Sequence, residues 1–175
     1  MAQAKIRMMV GRRAGLTSPP MISAPQGTAA TFVPGAPVKY SSGTLVAVST
    51  TASIGASSAL TVVKKSSTSN IIGIAEGDAD ASSTSNLAVA LIAEGQEFVG
   101  NLVHNAASSA KVSKVGSTVY MGKATTDTHW GWSLTAPGAS SASYVKGIIV
   151  GLVDAASTVN GRVLVKVTGG GALIT

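Results

Sequence analysis

The chain has 175 residues, of which 45% are hydrophobic and only 4% aromatic, with no cysteine and a net charge of +6. This length is typical of one domain, or of one domain with an arm. The lack of cysteine excludes disulfides and thiolate metal sites, and no apolar run reaches the ~20 residues that cross a bilayer as a helix. We therefore expect synthesis in the cytoplasm and no membrane partner.

The first segment, residues 1–31, is predicted to be an extended basic arm. It contains Pro19, Pro20 and Pro25, and proline fixes φ and removes a backbone donor, which disfavours a helix or a central strand. No acidic residue precedes Glu76, so the arm could bind phosphate, an anionic membrane or an acidic protein surface, or simply be solvated. Its apolar residues are unusual for a solvated tail and suggest contacts with another surface. They are Met8, Met9, Val10, Leu16, Met21 and Ile22.

Residues 32–175 are predicted to form a β-rich body. Short runs rich in β-branched residues alternate with Gly, Ser, Asn and Pro clusters, a pattern typical of a β-sandwich or small β-barrel. Residues 106–114 are the best helix candidate, and 49–59 and 124–143 are predicted loops. The predicted strands are 38–40, 44–48, 60–63, 71–75, 87–92, 97–100, 118–121, 144–151 and 162–167.

A segment of the body occurs twice. Residues 73–89 align without a gap on residues 147–163, with nine identical positions. In both copies a β-like run precedes a polar Asp-Ala-x-Ser-Thr-x-Asn loop, and a second β-like run follows the loop. A duplicated strand–loop–strand unit indicates architecture rather than an active site.

Fainter similarity upstream, between residues 35–40 and 116–120, extends the duplication. We predict two similar β-halves, at about 32–100 and 113–169, packed into one body. Chance similarity within a sequence rich in Ala, Ser and Val is the alternative interpretation.

The acidic residues of the repeat suit turns better than metal binding. Glu76, Asp78 and Asp80 form the one acidic cluster of the sequence, but Ser83 and Val89 stand where a calcium loop needs glycine and a bidentate glutamate. Aspartate also hydrogen-bonds nearby backbone N–H groups and so shapes turns. We predict structural turns at Asp80, Asn86, Asp154 and Asn160.

No catalytic constellation is recognisable in the sequence. His104 and His129 are isolated and lack partners for acid–base or metal chemistry. No Gly-x-Ser-x-Gly elbow or phosphate-binding glycine loop occurs. We therefore expect no enzymatic activity, no cofactor and no bound metal.

The sequence also bears on sugar binding and on nucleic-acid binding. Trp130 and Trp132 lie in one predicted loop, where they could stack on a sugar or complete the core or a subunit contact, and we favour the core or subunit contact. The chain is basic but lacks aromatic residues interleaved with its cations, and it has no recognition helix. Specific nucleic-acid binding is not expected.

The order of segments resembles one protein family. A Pro-rich arm leads into FVPGAPVKYSSGTLVAV, followed by IIGIAEGDADASSTSNLAVALIAEGQEFVGNL and KVGSTVYMGK. This arrangement is similar to the capsid decoration, or cement, proteins of tailed bacteriophages, which include the lambda-type head-stabilising proteins. The resemblance covers about 32–123, and the repeat extends it to 169. This chain is longer than the compact lambda-type members and carries a second β-half.

The resemblance implies an all-β barrel or sandwich of the β-tulip type and a non-enzymatic virion protein on the capsid exterior. It implies binding to the major capsid protein, clamping of neighbouring coat subunits, and a homo-oligomer, with a trimer favoured. The alternatives are another virion component, such as a head fibre or tail protein, or a carbohydrate-binding β module that uses Trp130 and Trp132. The arm residues expected to contact the coat are Arg7, Met8, Met9, Arg12, Arg13, Leu16, Met21 and Ile22.

Overall fold

Eleven short strands and one 3₁₀ turn make up the regular structure of the described residues. The computed structural model describes residues 21–28, 30–48, 60–62, 71–103, 111–124, 130–136 and 144–169. The 3₁₀ turn is Val112–Lys114. The strands are β1 (Met21–Pro25), β2 (Pro37–Ser41), β3 (Thr44–Ala47), β4 (Leu60–Val62), β5 (Ile71–Ala75), β6 (Asn86–Leu91), β7 (Glu97–Asn101), β8 (Thr118–Ala124), β9 (Gly131–Ser133), β10 (Lys146–Leu152) and β11 (Arg162–Gly169).

Five strands form the first sheet, in the antiparallel order β1-β6-β5-β2-β3. The sheet curls until its two outer strands meet at a parallel bridge between Gln26 and Leu45. There the Gly27 N–H donates to the Leu45 carbonyl oxygen at 2.9 Å. Because unpaired strand edges invite aggregation, this closure protects part of both outer strands.

The second sheet repeats this arrangement with later strands. Its order is β9-β8-β10-β11-β7, and a parallel bridge between Leu102 and Trp132 closes it. The Val103 N–H donates to the Trp132 carbonyl oxygen at 2.9 Å. β4 also joins this sheet, because Leu60 pairs with Ala124 at the end of β8. β4 therefore ties the first half of the chain to the second.

Apart from β4, the strands of the two sheets correspond one to one, which confirms the prediction of an all-β body made of two similar halves. In chain order β1, β2, β3, β5 and β6 correspond to β7, β8, β9, β10 and β11. The halves begin elsewhere than predicted. β1 pairs with β6 and opens the first half at Met21, inside the predicted arm. β7 pairs with β11 and opens the second half rather than ending the first.

The strand register also corrects the gap-free alignment of the repeat. Gly73 pairs with Leu91, 18 residues later, whereas Gly147 pairs with Val167, 20 residues later. Val89 therefore corresponds to Val165, although the sequences align it on Val163. An irregularity between Ile149 and Gly151 adds length to β10, and a β-bulge of this kind accommodates an extra residue without moving the rest of the ladder.

The faint upstream similarity marks the same turn in both halves. Gly35 has φ of 86° and Gly116 has φ of 89°, values that favour glycine at the third position of a type II turn. The Gly35 N–H donates to the Ala75 carbonyl oxygen at 2.8 Å, and the Gly116 N–H donates to that of Ile149 at 2.8 Å. Each turn therefore precedes the next strand, β2 or β8, at an equivalent position of its sheet.

All nine predicted strands occur, and the structure adds two that the sequence did not indicate. β1 lies in the proline-containing segment, and β9 lies in the predicted loop 124–143. Of the helix candidate, residues 112–114 form only the 3₁₀ turn, and residues 106–110 lie outside the described part of the chain.

The core is built from inward-facing aliphatic residues of both sheets. In β11, Val163, Val165 and Val167 are fully buried while Lys166 is exposed, because successive side chains of a strand point to opposite faces. Residues of both sheets belong to one hydrophobic cluster, in which Phe98 and Trp132 are the largest fully buried side chains. The two sheets therefore pack together around a core rich in small residues.

The first glycine of the repeat, Gly73 in one copy and Gly147 in the other, allows two strands to approach closely. A Cβ at Gly147 would contact the Val165 Cγ1 and lie 2.6 Å from the Lys166 carbonyl oxygen. A Cβ at Gly73 would contact the Ala90 carbonyl oxygen and lie 2.5 Å from the Val89 Cγ1. Contacts this short with backbone cannot be relieved by a side-chain rotation, so glycine is required at both positions.

We expect Gly147→Ala to lower the free energy of unfolding by about 1–3 kcal/mol, because the methyl group must displace the β11 backbone. Gly151→Ala in the same strand is the matched control, since a Cβ there meets no atom within 4 Å. Urea denaturation followed by tryptophan fluorescence measures both. Equal stabilities for the two variants would contradict this explanation of the repeated glycine.

Candidate interaction surface

β1 follows the predicted arm in the chain, and one of its edges has no strand partner among the described residues. Its residues pair with β6 along one edge, from Met21 opposite Ala90 to Pro25 opposite Asn86. On the other edge, no described strand pairs with β1 before the bridge at Gln26. An open edge of this kind can accept a further strand from another chain.

The structure describes only two of the predicted arm contacts. Met21 is 48% exposed, whereas Ile22 is partly buried and packs against the core cluster. Ile22 thus contributes to the body, because it alternates with the outward-facing Met21 along β1. The other predicted contacts lie outside the described residues: Arg7, Met8, Met9, Arg12, Arg13 and Leu16.

The β5–β6 loop, residues 76–85, is shaped by Asp80 and anchored by a residue that the sequence did not single out. Asp80 Oδ1 accepts hydrogen bonds from the Ser82 N–H at 2.9 Å and the Ser82 hydroxyl at 2.7 Å, and these bonds lower the pKa of Asp80. The fully buried Gln26 side chain accepts the Asp80 N–H at 2.9 Å and donates to the Ser85 Oγ at 3.2 Å. The Gln26 side chain therefore holds the loop from the core side.

In the equivalent β10–β11 loop, the aspartate bonds a residue on the far side of the loop. Asp154 accepts the Arg162 backbone N–H at 2.8 Å, and its Oδ1 lies 2.7 Å from Arg162 Nη2. Asp154 thus spans the base of the loop, whereas Asp80 bonds within its own turn. Asn160 adopts a left-handed φ of 52°, and its carbonyl oxygen accepts Asn101 Nδ2 at 2.7 Å.

Asn86, the remaining predicted turn residue, begins β6 and pairs with Pro25 of β1.

Gln26 and Asn101, which anchor the loops, are both buried polar residues. Neither belongs to a recognisable motif. Each amide hydrogen-bonds a loop because it is buried, and a buried polar group requires a hydrogen-bond partner. The sequence offered no signal for either residue.

Arg162 controls the titration of Asp154. Its side-chain hydrogen bonds and positive charge lower the pKa of Asp154 below the ordinary value, and partial burial opposes them. Because the folded pKa is lowered, the pair stabilises the protein above the unfolded pKa of about 3.9. That contribution is lost as the pH falls through the folded value.

We expect Asp154→Asn to lower the free energy of unfolding by about 0.5–1 kcal/mol at pH 7, because both partners are partly exposed. The difference from the wild type should shrink as the pH falls below about 4 and should be lost once Asp154 is protonated in the folded protein. Asp78→Asn removes the same charge from an exposed loop residue and is the control. Urea titrations across this pH range measure the effect, and a difference that does not change with pH would contradict the assignment.

Both tryptophans lie in the core, as the favoured interpretation of their segment expected. Trp132 is fully buried in β9, and Trp130 just before it is also buried. Lys123 Nζ lies 5.6 Å from the centre of the Trp130 ring, within reach of a cation–π contact. A sugar has no exposed indole face here on which to stack.

The described residues contain no group of three or more His, Asp or Glu side chains placed to hold a metal ion. His104 and His129 lie outside those residues. Within the same part of the chain, no helix has the length and apolar character needed to cross a membrane.

Comparison with known proteins adds no relative: no family model matches the chain, and no curated protein or solved structure matches it.

Proposed function

We propose that this protein is a structural virion component that binds the outer surface of an assembled bacteriophage capsid and clamps neighbouring coat subunits. The observation that carries the proposal is the junction of the basic N-terminal segment with β1. The segment contains Arg7, Arg12 and Arg13, and it leads into β1, whose second edge has no strand partner in the described part of the chain.

Strand addition explains how such a junction would bind a coat protein. A coat segment that pairs with the open edge of β1 gains backbone hydrogen bonds without a demanding side-chain code. Met21 is exposed beside that edge, and Met8, Met9 and Leu16 precede it in the sequence. These apolar side chains would supply buried area, and the arginines would pair with coat carboxylates.

The body serves as a folded anchor for this segment. Its two rolled sheets share one core, and β4 ties the first half to the second. A protein that binds the assembled shell but not free coat subunits stabilises the shell by mass action, by about 2.7 kcal/mol at a concentration 100-fold above its dissociation constant. The clamp therefore needs no chemical step.

Co-sedimentation with capsid shells tests the proposal. The shells are assembled from a major capsid protein of a tailed bacteriophage, and the probes are the full chain and a variant lacking residues 2–20. We expect the full chain to sediment with shells and raise their melting temperature, and the shortened chain to lose binding while keeping the circular dichroism of the body.

A charge-matched pair of variants separates specific contact from net charge. Arg12→Glu with Arg13→Glu should weaken shell binding about tenfold or more, because like charges then face the coat carboxylates. Lys64→Glu with Lys65→Glu changes the net charge equally at another adjacent basic pair and should leave binding within about twofold. If the shortened chain decorates shells as well as the full chain, the proposed role of the segment is wrong.

A further inference from the structure

The outer face of β10 carries an exposed apolar patch. Ile148 and Val150 alternate with the buried Ile149 and therefore point away from the core. Val112 and Val115 are also exposed, and they belong to the 3₁₀ turn and its C-cap. This turn packs on β10, where the Gly116 N–H donates to the Ile149 carbonyl oxygen at 2.8 Å. We call these four residues the β10 face.

One residue of this face, Ile148, is exposed although its counterpart in the first half is covered. Ile74 of β5 corresponds to Ile148 of β10 through the pairing of the two strands. Ile74 is only 1% exposed and belongs to the core cluster, whereas Ile148 is 37% exposed. Exposed apolar patches on soluble proteins commonly mark interaction sites. An isoleucine that is covered in one half and exposed in the other is consistent with a surface that becomes covered in an assembly.

The charges around the β10 face and the β5–β6 loop are opposite. Lys111 and Lys114 flank the valines of the 3₁₀ turn, and Lys146 lies on the outer face of β10 two residues before Ile148. In the other half, Glu76 and Asp78 are exposed on the β5–β6 loop. One chain therefore carries a basic-rimmed apolar surface on one half and an acidic loop on the other.

We propose that the protein self-associates by docking the acidic β5–β6 loop of one copy against the β10 face of another. Glu76 and Asp78 pair with the lysine rim, while the glycine and alanines of the loop allow it to approach Ile148 and Val150 closely. Charge complementarity specifies the register of such an interface. Because the two surfaces differ, repeated contacts give a ring where the rotation between copies closes and an open filament where it does not, and two copies can also dock reciprocally.

The loop is suited to docking because its shape is set before contact. Asp80 holds the turn through Ser82, and the buried Gln26 fixes the loop backbone from beneath. A preformed loop loses less conformational entropy on association than a flexible one. This inference concerns self-association and does not depend on binding to a capsid.

Light scattering after size exclusion tests the proposal on the full chain across concentrations from about 1 to 100 μM, the range in which a modest interface populates its complex. We expect an oligomer that dissociates on dilution and with added salt, because salt screens the loop–rim attraction. Ile148→Asp should weaken association about tenfold or more by placing a charge in the apolar centre. Tyr40→Asp is the control, since Tyr40 is 38% exposed on a strand of the other half.

A charge exchange separates a broken interface from a misfolded chain. Glu76→Lys with Asp78→Lys should weaken self-association, and Lys111→Glu with Lys114→Glu should weaken it to a similar extent. An equimolar mixture of these two double variants should associate again, because the reversed loop of one meets the reversed rim of the other. A wild-type chain that stays monomeric throughout, or a mixture that fails to recover, would overturn the proposal.

Discussion

The closing contact between the outer strands of each sheet is the constraint on which the rest of the structure depends. In the first sheet Gly27 donates to Leu45, and in the second Val103 donates to Trp132, each at 2.9 Å. This contact rolls five short strands around one interior, so that side chains from every strand face inward. Without it each sheet would have two open edges, and the small side chains of this core would bury less area between the strands.

Two features of the core follow from that closure. The paired strands β5 and β6, and likewise β10 and β11, lie so close together that no side chain fits at Gly73 or Gly147. The closure also buries polar groups near the strand ends, and the protein uses them: Gln26 and Asn101 each bond a hairpin loop from within. The loops are therefore ordered by the same contacts that end the strands.

The two halves share a scaffold but differ at their surfaces. The loop of the first half displays exposed carboxylates, while the matching loop of the second half uses its aspartate internally, in the pair with Arg162. The equivalent isoleucines also differ, since Ile74 is buried in the first half and Ile148 is exposed in the second. Duplication supplies a stable body, and divergence of the outward-facing residues supplies different contact surfaces on it. The two proposed contact surfaces lie on different halves, since β1 begins the first half and the β10 face belongs to the second.

The β class, nine of the strands and the duplication could be predicted from the sequence, because alternation, turn residues and repeated glycines are local signals. It did not reveal β1, since three prolines made its segment look like an arm, and pairing with β6 outweighed that local preference. It missed β9, which is only three residues long and is held by β8 and the bridge to Leu102.

Tertiary structure alone decided where each half begins, which aspartate spans its loop and which isoleucine is exposed. These features depend on strand pairing and burial between residues far apart in the chain, which no local pattern specifies. The same separation applies to the interaction surfaces: their charges are legible in the sequence, but only the fold places Ile148 and Val150 outside and both tryptophans inside.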